Sequence, residues 1–153
     1  MANWRSICCA VDFSESSRLA LEEATDLARR FDARLTLVHV LEAAPAAATE
    51  GLLTPPDLVE QMRIELSRKL EVWKAEAERR AERPVAQRLL SGDPAAEIVR
   101  FARDGEFDLV VAGTRGRTGL EHLLLGSVAE KVVRQAHCPV LVARRTPPPP
   151  DVD

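Results

Sequence analysis

Three features of the sequence predict an α/β protein with a single open, doubly wound sheet of five parallel strands and four helices. Short apolar runs that suit strands alternate with segments of helical periodicity about 10–25 residues long. Most of the strand runs are apolar at nearly every position, as expected when helices cover both faces of a parallel sheet. A length of 153 residues and a hydrophobic content of 46% fit one domain. The alternation implies βαβ units with right-handed crossovers.

The first half of the fold is predicted from two apolar runs and the helix between them. Ile7–Val11 is apolar almost throughout and ends at the polar Asp12. Ser14 or Ser16 can cap the helix that follows, which carries Ala and Leu on one face and charged residues on the other. Leu35–Val40 then forms the second strand.

The middle of the chain contains a long loop and a long helix. Glu42–Pro56 is rich in Ala, Thr, Gly and Pro without periodicity, which is typical of lids or disordered segments. Asp57 begins a helix that runs to about Arg83, before Pro84. Val85–Leu90 is predicted to be an outer strand, since polar residues interrupt its apolar pattern. The helix is predicted to bury one apolar stripe, formed by Leu58, Met62, Leu66, Leu70, Trp73 and Ala77.

The second half supplies two more helices and the last two strands. Asp93 caps a helix that starts with proline and ends at Gly105. Leu109–Ala112 is the fourth strand and leads into a glycine-rich loop. A helix from Ser127 precedes the fifth strand, Pro139–Ala143. One domain is therefore predicted over residues 1–145, followed by a Pro-rich, acidic tail at 146–153 to which we assign no regular structure.

The composition excludes several classes of function. A net charge of −3 provides no bulk attraction to nucleic acid or to anionic membranes. Tyr is absent, and four Phe with two Trp do not suffice for a base-stacking platform. No apolar run approaches the ~20 residues of a membrane span, and the N-terminus lacks the pattern of a secretory signal. These observations predict a cytoplasmic protein that binds neither nucleic acid nor membranes.

The cysteines and histidines show no metal-type spacing. Cys8, Cys9 and Cys138 are odd in number. Neighbouring residues of a strand point to opposite faces, so we expect Cys8 and Cys9 to be buried, reduced and space-filling on either side of the sheet. His39 is predicted to be a packed strand residue rather than a ligand.

The segment Asp108–Ser127 is the strongest candidate for a binding site. Its strand stops at Gly113, and a new helical pattern begins at Ser127. Three more glycines lie between these points: Gly116, Gly119 and Gly126. Ligands of doubly wound proteins bind outside the carboxyl ends of the strands where the strand order reverses, which here brings Gly113 close to Asp12. Glycine amides and a helix N-terminus favour phosphate, so the segment predicts a site for a phosphate-bearing ligand.

Two common phosphate loops are excluded, and the remaining residues also have structural explanations. A Walker loop requires a Gly-Lys pair that is missing, and the dinucleotide fingerprint is absent after the first strand. Ser127 with Glu130 has the form of a capping box, which would stabilise the helix by ~1 kcal/mol without any ligand. The alternative role of Gly126 is close packing alone, and that of Asp12 is to cap the following helix. The loop arginines, Arg115 and Arg117, are either phosphate partners or solvated charges.

The spacing Gly113-x-x-Gly116, nine residues, Gly126-Ser127 resembles the nucleotide-binding signature of the universal stress protein family, in its ATP-binding branch. The match extends beyond the glycines and covers residues 4 to about 144. Four further blocks resemble the strand ends, the closing helix and the last strand of that family: Ala10–Ser14, Val38–Val40, Gly126–Glu130 and Cys138–Val142.

The resemblance implies an adenine nucleotide alpha hydrolase-like fold with strand order 3-2-1-4-5. It also implies bound ATP, often with Mg²⁺ or Mn²⁺. The family further implies a homodimer formed through the last strand, at Val140, Leu141 and Val142. Ala10, Asp12 and Val40 would border the base and ribose. The loop up to Gly119 would wrap the ribose and phosphates, and Ser127 would hold the terminal phosphates. ATP-binding relatives often have Pro in place of Ala10, although a backbone contact would survive this change. The residues assigned to the nucleotide are Ala10, Asp12, Val40, Ala112, Gly113, Thr114, Arg115, Gly116, Arg117, Thr118, Gly119, Gly126, Ser127 and Val128.

The resulting hypothesis is an ATP-binding protein with a regulatory, nucleotide-dependent role in the stress response. The sequence offers no recognisable catalytic triad, carboxylate pair or reactive thiolate. Asp12 is the one acid near the glycine loop that could orient a water or a metal, so hydrolysis is expected to be slow at most. Two alternatives stay open: a slow ATPase or nucleotidyl transferase, and a nucleotide-free dimeric interaction module.

Overall fold

A five-stranded parallel sheet with four helices forms the part of the chain that the computed structural model describes, residues 3–42, 55–114 and 125–145. The strand order is β3-β2-β1-β4-β5, and all four ladders are parallel. This confirms the predicted fold class and strand order. The elements are β1 (Ser6–Ala10), α1 (Glu15–Phe31), β2 (Arg34–Glu42), α2 (Pro56–Ala81), β3 (Val85–Gly92), α3 (Pro94–Asp104), β4 (Leu109–Gly113), α4 (Ser127–Gln135) and β5 (Val140–Ala143).

Two hydrophobic layers cover the sheet, one on each face. Cys9 of β1 packs in a cluster with residues of α1 and α2, whereas its neighbour Cys8 packs in a second cluster with residues of α3 and α4. The central strands are apolar at consecutive positions because both faces are covered. Each fully buried side chain of this kind, such as Val110, contributes about 1.5–3 kcal/mol through burial. Because hydrophobic clusters cover both faces of the sheet, β1 and β4 contain almost no polar residue.

The buried cysteines are chemically protected, and this can be tested by labelling. Burial raises the pKa of the Cys8 thiol to about 12 and also raises that of Cys9. Partial burial also raises the pKa of the Cys138 thiol, but only Cys138 is accessible to a reagent. Since the thiolate is the reactive form, a disulfide reagent at pH 8 is expected to modify one thiol per folded chain, at Cys138. Cys138→Ser should abolish that labelling, and Cys8 and Cys9 should react only after unfolding. Rapid modification of either one in the folded protein would contradict the predicted burial.

The helix starts agree with the sequence in two cases and differ in a third. Ser14 caps α1, and Asp93 caps α3 by accepting a bond from the backbone N–H of Ala96 at 3.0 Å. At α4 the N-cap is Gly126, and no described side chain caps this helix. The capping box predicted for Ser127 is therefore wrong, because Ser127 already lies inside the first turn. Its predicted partner Glu130 pairs instead with Arg134.

The predicted apolar stripe of α2 is buried only in the second half of the helix. Leu70, Trp73 and Ala77 lie in the core, as predicted, but Leu58 is 47% exposed and Met62 is 42% exposed. The cause is length. At 1.5 Å per residue the 26 residues of α2 extend about 39 Å, whereas the 8 residues of β3 extend about 26 Å. The first turns of α2 therefore project past the carboxyl ends of the strands.

Candidate functional site

The carboxyl ends of β1 and β4 border a cavity of about 670 Å³. These strands are adjacent in the sheet, although α1 follows β1 on one face and α4 follows β4 on the other. The strand order thus reverses at this point, as in other doubly wound folds that bind ligands there. The cavity volume falls within the range of about 300–1,000 Å³ that is common for small-molecule sites.

The cavity brings together all of the predicted site residues that the structure describes. Five of the predicted residues lie outside the described part of the chain: Arg115, Gly116, Arg117, Thr118 and Gly119. The other nine line the cavity: Ala10, Asp12, Val40, Ala112, Gly113, Thr114, Gly126, Ser127 and Val128. Segments far apart in the sequence therefore meet at one site.

The carboxylate of Asp12 is held in place at the end of β1. Its Oδ1 atom accepts a hydrogen bond from the backbone N–H of Ser14 at 2.9 Å and another from the hydroxyl of Ser17 at 2.6 Å. The helix cap is Ser14, so the proposal that Asp12 itself caps α1 is wrong. Instead, Asp12 stabilises the turn that leads into the helix, and the residue lines the cavity.

Phe13 has an unusual backbone conformation beside this carboxylate. Its φ of +66° lies in the left-handed region, which costs energy for a bulky residue and is often found at functional sites. The conformation places the Phe13 ring 4.7 Å from the ring of His39 and 5.4 Å from that of Trp73. His39 is buried, and its Nδ1 lies 2.7 Å from the carbonyl oxygen of Val11. His39 is packed, as predicted, yet it also lines the cavity.

Gly113 allows α1 to approach β4 closely. A Cβ atom at this position would lie 2.7 Å from both the carbonyl carbon and the carbonyl oxygen of Ser16. The Ser16 and Thr114 hydroxyls are 3.4 Å apart at the same junction. The absence of a side chain at residue 113 is thus required by packing, whether or not a ligand is bound.

The N-terminus of α4 faces the cavity without a side-chain cap among the described residues. The backbone N–H of Gly126 donates to the carbonyl oxygen of Thr114 at 2.6 Å, which closes the base of the glycine loop. The next residues, Ser127 and Val128, line the cavity in the first turn of the helix. Backbone N–H groups in a first turn have no partner within the helix, and the helix dipole adds partial positive charge. This arrangement suits an anion such as phosphate.

The backbone of Val40 borders the opposite side of the cavity. The N–H of Val11 donates to the carbonyl oxygen of Val38 at 2.8 Å, so Val38 directs its backbone groups toward β1. In a parallel ladder every second residue points the same way, which directs the N–H and C=O of Val40 to that side as well. Because β1 ends at Ala10, whose partner is Val38, the backbone groups of Val40 lie past the end of the strand. They offer one donor and one acceptor at the cavity wall.

Several lining residues were not predicted from the sequence. The projecting turns of α2 contribute Met62, Glu65, Leu66 and Lys69, and the start of α3 contributes Pro94 and Ile98. The Lys69 ammonium lies 5.9 Å from the centre of the Phe13 ring, and Lys69 adds a positively charged side chain to the cavity lining. The only signal in the sequence was the length of the α2 pattern, which exceeds that of any strand. Within the described ranges, no three His, Cys, Asp or Glu side chains are grouped to hold a metal.

Comparison with known proteins assigns the chain to a protein family. The profile of the universal stress protein family matches residues 3–144. The chain belongs to the universal stress protein family. This family member is 37% identical over 142 residues to universal stress protein MJ0531 from Methanocaldococcus jannaschii, a match that covers 93% of this chain and 83% of the relative. It is 34% identical to universal stress protein YxiE from Bacillus subtilis, with 88% and 95% covered.

Solved structures, among them universal stress proteins and the hypothetical protein MJ0577, share the same fold. The structure of MJ0577 superposes with a TM-score of 0.82 at 29% identity and covers 96% of this universal stress protein and 100% of that chain. A universal stress protein from Archaeoglobus fulgidus was solved with dAMP and another universal stress protein with cAMP, at 23% and 22% identity, so these two indicate the fold alone. Their TM-scores are 0.67 and 0.68, with 94% and 95% of this chain and 100% of each neighbour covered. In the described part of the chain, no helix is both long enough and apolar enough to cross a membrane.

Proposed function

We propose that this universal stress protein binds ATP in the cavity between β1 and β4, and that nucleotide occupancy carries a regulatory role in the stress response. The observation that supports this most is the uncapped N-terminus of α4, which faces the cavity opposite the Val40 backbone. Related structures hold dAMP and cAMP, so adenine nucleotides are ligands within the family. In this proposal the regulatory role depends on whether ATP occupies the cavity, and any hydrolysis of ATP is slow.

The proposed orientation is the one that the family resemblance implies, and the chemistry of the cavity wall supports it. Ala10 and the Val40 backbone border the base, and Asp12 borders the ribose. The phosphates lie at Gly126–Val128, where backbone N–H groups and the dipole of α4 favour negative charge. In this arrangement the glycine loop, from Gly113 to Gly119, wraps the ribose and phosphates, with its two arginines as charged partners.

Mg²⁺ or Mn²⁺ fits the proposed site only as part of a metal–nucleotide complex. The described residues offer no group of three metal-binding side chains. Mg²⁺ usually keeps several waters and binds through one or two carboxylates together with the phosphates of a ligand. Asp12 could provide one such carboxylate. The metal would then neutralise charge on the phosphates, while the backbone N–H groups at the start of α4 would donate hydrogen bonds to them.

The Val40 backbone predicts a preference for adenine over guanine. Adenine carries an amino donor next to a ring acceptor and matches the Val40 C=O and N–H, whereas guanine presents the oxygen O6 where adenine has its amino group. An unmatched buried polar pair costs about 1–3 kcal/mol, so ATP should bind roughly 10- to 100-fold more tightly than GTP. Calorimetric titration of both nucleotides into nucleotide-free protein measures this ratio. Equal affinities would contradict the placement of the base at Val40.

A homodimer through β5 is part of the proposal. Among the described residues β5 pairs with β4 alone, and its residues Val140, Leu141 and Val142 are only partly buried. An apolar edge strand is prone to pair with another chain, and pairing with its own copy across a two-fold axis would satisfy it. The free cysteines fit a cytoplasmic location for this dimer.

Sedimentation at micromolar concentration is expected to show a dimer. Val142→Asp places a charge at the proposed contact and should shift the population to monomer, because an unpaired charge in an apolar interface is unfavourable. Val133→Asp, at a residue of α4 that is 44% exposed, is the matched control and should leave the dimer intact. A wild-type protein that sediments only as a monomer would exclude this assembly.

A further inference from the structure

Ser17 makes two hydrogen bonds with the residue that borders the proposed ribose site. Its side chain is buried, with 4% exposure, in the first turn of α1. The Ser17 hydroxyl accepts a bond from the backbone N–H of Asp12 at 2.8 Å and donates to Asp12 Oδ1 at 2.6 Å. The second distance lies in the range of a charge-assisted bond between a hydroxyl and a carboxylate. Because the N–H occupies the oxygen as an acceptor, the hydroxyl proton is directed to the carboxylate.

These contacts fix the orientation of the carboxylate. Ser14 N–H also donates to Oδ1, at 2.9 Å, so this single oxygen receives two hydrogen bonds from the start of α1. No described residue donates to the other oxygen, Oδ2. Both Asp12 and Ser17 line the cavity. With Oδ1 engaged by the protein, Oδ2 is the carboxylate oxygen left to accept a bond from a ligand.

We propose that Ser17 is a positioning residue that holds the Asp12 carboxylate so that Oδ2 accepts a hydroxyl of the ribose. This inference rests on the proposed nucleotide site and adds a specificity to it, namely ribonucleotides over deoxyribonucleotides. A carboxylate accepts hydrogen bonds and cannot donate them, so only a ligand that brings a hydroxyl donor gains from it. The rigid junction at Gly113, where α1 rests against β4, keeps Ser17 in a fixed place relative to the cavity.

A purely structural role predicts a different outcome from a positioning role. If Ser17 only satisfies the Asp12 N–H and stabilises the turn, its loss lowers stability and weakens every nucleotide to the same extent. If Ser17 orients Oδ2, its loss weakens ribonucleotides selectively. The readout is therefore the ratio of dissociation constants for 2′-deoxy-ATP or 3′-deoxy-ATP to that for ATP, which general destabilisation does not change.

The experiment measures these ratios by calorimetry in the wild-type protein and in variants. Wild-type protein is expected to prefer ATP over at least one deoxynucleotide by about tenfold, as expected for one hydrogen bond to a charged group. Ser17→Ala should reduce this ratio to about one through weaker ATP binding, and Ser17→Thr, which keeps the hydroxyl, should retain it. Thr25→Ala is the matched control. Thr25 is a fully buried hydroxyl residue of the same helix that donates to the carbonyl oxygen of Glu22, and its loss should leave the ratio unchanged.

Asp12→Asn provides an independent test that does not depend on the folding of Ser17→Ala. This variant should also lose the discrimination, and combining the two changes should cause no further loss if both act through one bond. A wild-type protein that binds ATP but does not distinguish ribose from deoxyribose would overturn the role of Ser17 and leave the nucleotide site standing. Equal weakening of all nucleotides in Ser17→Ala would do the same. A wild-type protein that binds no nucleotide would reject both proposals.

Discussion

Gly126→Val is expected to weaken ATP binding at least tenfold while the protein remains folded. The backbone of Gly126, with φ −57° and ψ 159°, is accessible to any residue, so valine introduces no backbone strain. The residue is the N-cap of α4 and lines the cavity. Phosphate oxygens bind backbone N–H groups at about 3 Å, and a branched side chain at this point would occupy that space. The loss of even one charge-assisted bond, about 1.5–3 kcal/mol, corresponds to roughly 10- to 150-fold in affinity.

Calorimetric titration together with thermal unfolding separates the two effects of this substitution. The midpoint of unfolding should fall only modestly, since valine is a poorer N-cap than glycine, while the dissociation constant for ATP rises. Gln135→Val is the matched control, since it adds valine at an exposed residue at the other end of α4. A folded Gly126→Val protein with unchanged ATP affinity would remove the α4 N-terminus from the phosphate site.

Gly113→Ala is expected to lower the free energy of unfolding by about 3 kcal/mol, at the upper end of the usual cost of overpacking. The added methyl group would lie 2.7 Å from the backbone carbonyl of Ser16. A flexible side chain could rotate away from such a contact, but backbone atoms in the first turn of a helix cannot move without shifting the helix. The conflict must therefore be relieved by displacing α1 from β4.

Urea unfolding, followed by tryptophan fluorescence, measures this loss directly. Thr114→Ala is an informative control, because it removes the hydroxyl that lies 3.4 Å from Ser16 Oγ at the same junction. That bond is long and only partly buried, so its removal should cost less than about 1 kcal/mol. A Gly113→Ala protein as stable as wild type would show that α1 and β4 are not in close contact in solution.

The two glycines thus have different explanations, although one sequence signature contains both. Gly113 is explained by the approach of Ser16, which involves only the protein. Gly126 occupies a backbone conformation open to other residues and borders the cavity, and we propose that it is explained by ligand binding. The predictions differ accordingly: substitution of Gly113 should affect stability most, and substitution of Gly126 should affect ligand affinity most.

The strands and their burial were predictable because they depend on local patterns. Ile7–Val11 and Leu109–Ala112 are apolar at consecutive positions, and this alone indicates strands covered on both faces. The convergence of Asp12 and Gly113 followed from the rule that binding sites form where strand order reverses. The strand order itself came from the family resemblance, since local patterns do not encode which strands pair.

The unpredicted features depend on distances between elements. Periodicity indicated that Met62 belongs to the apolar stripe of α2, but its exposure depends on how far the helix projects beyond the sheet. The Ser-x-x-Glu pattern at Ser127 favoured a capping box, yet the N-cap is Gly126, whose N–H donates to the distant carbonyl oxygen of Thr114. The bond between Ser17 and Asp12 requires the turn at Phe13 and its positive φ, which no sequence pattern indicated.

Titration of ATP into nucleotide-free protein is the most direct test of whether the cavity binds this nucleotide. The protein would first be purified without added nucleotide. Any bound small molecule would then be released by denaturation and identified by mass spectrometry. Finally, ATP would be titrated, with and without Mg²⁺, into the refolded or otherwise emptied protein. We expect saturable binding of one ATP per chain, or recovery of ATP from the purified protein. A folded protein that carries no nucleotide and shows no saturable binding at millimolar ATP would contradict it, and dimerisation or partner binding would then be the leading function.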